Sequence, residues 1–285
     1  MSDLTLYHFP PSKYSQIARL ALTEKGLPWR STLVNIGPPL ENYEPWYARL
    51  NPEMVVPTLV IGERPVCGTF VLLHALEELP EGRSLTPKDS EASERMEVWL
   101  QRLNDFPFRE FSYGEGNQRK GFLRWLMNMA MKRRRSKLEK MRDSQPDLKA
   151  AYQARLDDMD PWEETMHDPA AVQTLFQHML SILDEAETAL QQHPWLSGEE
   201  YSLADVWMTV TLARLEMLNK GSWIDERPRL SAYYARVKQR DSFDKADIWD
   251  RMKPEVMVPL VLRIVWPALL GLGILTGLGL WWWLR

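Results

Sequence analysis

Pro10-Pro-Ser-Lys-Tyr-Ser15 places two hydroxyls at the start of a helical run marked by Ile17, Leu20, Ala21 and Glu24. A serine there caps unpaired N–H groups, and the positive end of a helix favours an anion nearby. Thr69 opens a second helical run directly after Cys67 and Gly68, where a carboxylate would be favoured. Cys67 is the single cysteine, which excludes an internal disulfide and a cysteine-built zinc site. The five histidines show no ligand spacing, so no metal site is expected. The chemistry on offer is anion handling by hydroxyls at helix starts, with plain capping as the alternative.

Those residues need a scaffold. Leu4–Phe9, Ser31–Ile36, Val55–Ile61 and Pro65–Cys67 read as strands. Helices are expected from Ser12 to Lys25, around Glu44–Leu50 and over Thr69–Leu79, giving the order βαβαββα over residues 1–80. Pro80–Pro87 is turn-rich and reads as a linker. From Asp89 to Lys253 the pattern is helical throughout, and Ser202-Leu-Ala-Asp205 has the form of a capping box.

The net charge of −4 argues against nucleic acid as the main partner. Within the helical stretch a charged insertion over 115–170 stands out. Residues 119–142 (Arg119–Arg142) hold ten Lys or Arg against one acid, and residues 157–168 hold six acids. The basic block reads either as an exposed charged helix or as a contact for anionic headgroups. Trp125, Leu126, Met127 and Met131 beside it could instead cover a cleft. No signal peptide is visible at the N-terminus. At the other end, Ile264–Leu284 runs 21 residues without a charge and ends in Trp281, Trp282 and Trp283. As a helix this is roughly 31 Å long, so residues 256–284 are expected to form a transmembrane tail, with membrane lipids as partners. The rest is then expected to face the cytoplasm.

With these elements in place, positions 4–250 resemble the glutathione transferase family. Val56-Pro57 looks like its cis-proline, and Trp195-Leu-Ser-Gly198 with Tyr201–Asp205 resembles its buried capping motif. Ile36-Gly37, Leu40–Pro45, Val55–Val60 and Leu212–Asn219 are similar to the reductive dehalogenase and zeta-class branch. Leu6-Tyr-His8, Glu44-Pro-Trp46, the charged insertion and the tail resemble the ganglioside-induced differentiation-associated branch. The fold implied is an α/β thioredoxin-like N-terminal domain (1–80) followed by an all-α domain (89–253).

The resemblance implies glutathione as co-substrate and a homodimer. By the same resemblance Ser12, with Ser15 and Tyr14 in reserve, would stabilise the cofactor's thiolate. Val56, Pro57, Gly68 and Thr69 would hold the peptide. Two departures matter. Tyr14 replaces the branch's cysteine, so reductive dehalogenation is not expected. Gly68 replaces an acidic or amide residue, so glutathione binding is expected to be weak. The function expected is conjugation of glutathione to an apolar electrophile, the alternative being a non-catalytic binding or scaffold protein on the same fold.

Overall fold

The computed structural model describes residues 3–118, 121–256, 258–259 and 261–263. Strand β1 (Leu4–His8) alternates buried and half-buried side chains, the two-residue period of a strand packed more tightly on one face. It lies inside a four-stranded sheet ordered β2 (Arg30–Leu33), β1, β3 (Thr58–Ile61), β4 (Arg64–Cys67). β2 is parallel to β1, with Ser31 opposite Leu6, while β3 runs antiparallel and sets Leu59 opposite Leu6.

A parallel pair needs a crossover, supplied here by α1 (Lys13–Lys25). Ser12 begins α1 in extended conformation, and Gly26 ends it with φ 70°, the left-handed conformation that glycine adopts freely. α2 (Pro45–Leu50) and α3 (Thr69–Glu77) complete the N-terminal half in the predicted order.

The remainder is helical among the described residues. α4 (Ser90–Asp105) and α5 (Phe108–Gln118) lead into the long pair α6 (Phe122–Ser144) and α7 (Lys149–His167). α8 (Pro169–Gln192) and α9 (Leu203–Met217) follow, then α10 (Gly221–Asp225), α11 (Pro228–Lys238) and α12 (Asp241–Lys245). α9 is buried on nearly every face and packs with α1. Its start is fixed by Asp205, whose carboxylate accepts from the Ser202 N–H (2.9 Å), the Leu196 N–H (3.0 Å) and the Tyr233 hydroxyl (3.0 Å).

The oppositely charged blocks meet as α6 and α7. Arg135 pairs with Asp160 (2.7 Å) and Glu163 (3.1 Å). Beneath those pairs, Met131, Leu138, Tyr152, Leu156 and Trp162 form a second apolar cluster with Leu40, Tyr43 and Met54 of the N-terminal half. The insertion therefore docks back over residues 40–54, and the Tyr152 hydroxyl donates to the Tyr43 carbonyl at 2.9 Å.

One expectation is corrected. Among the described residues no helix is long and apolar enough to cross a membrane, because the long helices carry charged faces and half-buried positions along their length. The expected span, Ile264–Leu284, lies outside the described residues. Among the described residues the fold class is accordingly the thioredoxin-like and all-helical parts, with no transmembrane helix. The expected tail-anchored membrane localisation has no support among the described residues.

Candidate active site

A cleft of about 610 Å³ opens between the loops of the sheet and the start of α5. Ser12, Tyr14, Val56, Pro57, Gly68 and Thr69 all line it, although they come from three separate chain segments. Ser15 does not. It is fully buried, and its Oγ accepts from the Phe9 N–H at 3.2 Å.

Ser12 is placed by a tightly held loop. Its own N–H donates to the Phe9 carbonyl (3.0 Å). The Pro10 carbonyl accepts from Gln16 Nε2 (3.2 Å) and Arg19 Nη2 (3.3 Å), and the Pro11 carbonyl from Arg214 Nη2 (2.5 Å). Ser12 Oγ accepts the Ser15 N–H at 3.3 Å, which is the capping bond. A hydroxyl has one donor and two acceptor positions, so capping leaves the Ser12 proton available to an anion in the cleft.

Tyr14 is a poor alternative to Ser12. Its ring packs edge-on to Trp207, and burial, aided by Glu110, pushes its hydroxyl up to about 12. Cys67 is half-buried, and burial followed by the Glu53 charge raises its thiol, the wrong direction for a nucleophile.

The Val56–Pro57 peptide is cis. It is anchored through its neighbours: the Val55 carbonyl accepts from the Tyr47 hydroxyl (2.6 Å) and Asn51 Nδ2 (2.9 Å), and both groups also meet Thr58 Oγ1 at 2.9 Å. Gly68 has φ +82°, a conformation that side chains rarely adopt, with open space where a Cβ would project. Thr69, 8% exposed, is the first residue of α3, where backbone N–H groups are unpaired.

Sequence reasoning does not single out Asn42, Lys13 or Arg214, and sees Arg134 only as one of a basic run. Asn42 is buried; its Nδ2 donates to the Met54 carbonyl at 2.7 Å, while Oδ1 has no partner and the residue lines the cleft. Arg134 reaches in from α6 and donates to the Ile36 carbonyl at 3.2 Å.

Among the described residues, five cationic side chains line the cleft. Arg109 pairs with Glu110 (3.1 Å) and Asp158 (2.8 Å), and Arg155 pairs with Asp158 (2.6 Å). Lys13, Arg134 and Arg214 form no ion pair with a carboxylate among the described residues. The signal for Arg214 was its place in the Leu212–Asn219 motif, and for Lys13 its place between the two serines. Asn42 carried no local signal.

A thioredoxin-like half with a cis-proline and a serine-capped α1, joined to a helical half around a capping box, is the architecture of the glutathione transferase fold. The chain matches the glutathione S-transferase N-terminal domain over residues 11–79 and the glutathione S-transferase C-terminal domain over residues 169–236. It is 34% identical over 253 residues to the tetrachloro-p-hydroquinone reductive dehalogenase of Sphingobium chlorophenolicum, covering 89% of this chain and 99% of that one. It is 25% identical to the human (Homo sapiens) ganglioside-induced differentiation-associated protein 1-like 1, over 96% of this chain and 83% of that one. Among solved structures it is similar in fold to the beta-etherase LigF of Sphingobium sp. strain SYK-6, with TM-score 0.65 and 21% identity over 85% of this chain and 98% of that one. The chain belongs to the glutathione S-transferase family.

Proposed function

We propose that this chain is a glutathione transferase that joins the thiolate of glutathione to an apolar, electrophilic substrate. The observation that carries the reading is Ser12. Its hydroxyl lies on the cleft and is fixed by a backbone bond that uses only its acceptor side. A donor pre-aimed at a developing or standing anion costs no reorganisation when the anion arrives.

The peptide would lie against Val56 and Pro57, with one carboxylate at the α3 start beside Thr69. At its other end the carboxylate would meet the Arg134 guanidinium, and a peptide N–H would donate to the unpaired Asn42 Oδ1. The residues present thus fit an anionic tripeptide. With Gly68 supplying no side chain, Arg134 makes up part of the lost anchoring. In the reaction the thiol proton leaves to solvent, the thiolate forms a C–S bond at the electrophilic carbon, and the leaving group departs with its electron pair. The aromatic wall formed by Phe106, Phe108 and Tyr113 suits an apolar acceptor. Reductive dehalogenation is outside this reading, since Tyr14 stands where a resolving cysteine would be needed.

The test is retention of the full chain on glutathione-agarose together with chlorodinitrobenzene turnover. Binding and turnover, both reduced by Ser12→Ala, are expected. Failure to bind at millimolar glutathione would remove the reading and leave a non-catalytic binding protein on this fold.

A further inference from the structure

Lys13 is a second unusual residue at the start of α1. Only 6% of its surface is exposed, yet it lines the cleft, and its ammonium has no hydrogen bond or ion pair among the described residues. It sits over the face of Phe108, 3.7 Å from the ring centroid, on the helical wall, and 5.5 Å from the ring centroid of Tyr14. Arg214 is the neighbouring cation. It is 9% exposed and spends Nη2 on the Pro11 carbonyl, while its Nε has no partner. A buried ammonium without a counter-charge is unfavourable unless something on the cleft side compensates it.

We infer that Lys13 and Arg214 form an anion subsite against the helical wall, which takes an acidic group of the electrophilic substrate; the preferred acceptor is an aromatic electrophile bearing a carboxylate. The choice of an aromatic acceptor follows from the surroundings: Phe108 lies under the Lys13 ammonium, and Phe106 and Tyr113 line the same cleft. The electrostatics agree. Burial first, and the Arg214 charge second, push the Lys13 ammonium well below its ordinary range. Burial and then Arg19 lower Arg214 to about 10. A bound carboxylate would relieve both effects, so its arrival favours the protonated lysine.

The inference deepens the transferase reading and takes its nucleophile from it, but the subsite can be tested without turnover. The first arm measures kcat and KM for chlorodinitrobenzoate and for its methyl ester at saturating glutathione, using the full chain and subtracting the uncatalysed rate. In each case the thiolate displaces chloride, forming C–S and breaking C–Cl. The acid is expected to exceed the ester about tenfold in kcat/KM, through KM, and Lys13→Met is expected to bring that ratio to about one. The second arm follows binding of dinitrobenzoate and its methyl ester by tryptophan fluorescence without glutathione.

Acid-selective binding that Lys13→Met abolishes supports the subsite even if neither electrophile is turned over; in that event only the transferase reading fails. Equal affinity for acid and ester overturns it. So does a Lys13→Met protein that keeps the acid-to-ester ratio of the unaltered chain but binds glutathione more weakly or holds its thiolate less well. Lys13→Gln is the second variant, with circular dichroism as the check on folding.

Discussion

Ser12 carries two duties that separate under mutation. Ser12→Ala removes the cap and is expected to cost about 1 kcal/mol of stability, read from the urea midpoint. It also removes the donor to the thiolate and is expected to lower kcat roughly 100-fold. A variant that loses stability without losing turnover would reduce Ser12 to a cap. His8 offers a pH test of the same neighbourhood. Its Nδ1 faces Arg19 Nη1 at 3.3 Å and its Nε2 meets Ser31 Oγ at 2.7 Å, so the neutral ring accepts from arginine and donates to serine. Burial, then the Arg19 charge, holds its pKa down at about 4, against a partial upward pull from Asp247. In the unfolded chain the ring binds a proton near pH 6.5. The stability contributed is therefore complete above that pH and is lost as pH falls from 6.5 towards 4. Thermal unfolding of His8→Asn should show a shallower slope across that window, and an unchanged slope would refute the assignment.

At the scale of elements, the local devices were legible in the sequence and the long-range ones were not. Ser12, Val56-Pro57, Thr69 and the Ser202–Asp205 box each announce themselves within a few residues, because caps and X-Pro bonds are local features. Arg134 and Asn42 become neighbours of one cleft only because α6 and α7 dock over residues 40–54, a contact set by the apolar face hidden under the charged block. The charges drew attention to the block's surface, while Leu138, Tyr152 and Trp162 decided where it went. The expected transmembrane span rests on an uncharged run of matching length and its terminal tryptophans, and it lies outside the described residues. Two measurements test the elements. Arg134→Met should raise KM for glutathione about tenfold with little change in kcat, as loss of one charged hydrogen bond implies. Asp205→Ala should cost about 3 kcal/mol in urea unfolding, because the Leu196 and Ser202 N–H groups and the Tyr233 hydroxyl lose a buried acceptor together.

For the whole molecule, the decisive property is the acidity of the thiol held in the cleft. The loop bearing Ser12 is tied to α1 by Gln16 and Arg19 and to α9 by Arg214, so both halves of the protein set one hydroxyl in place. The direct measurement is the ultraviolet absorbance of glutathione thiolate in complex with the full chain, followed against pH. The bound thiol is expected to ionise below about 8.5, the value of an ordinary cysteine thiol, and to return towards it in Ser12→Ala. A bound thiol that titrates like the free one, or a depressed pKa that survives Ser12→Ala, would contradict the central role given to that serine.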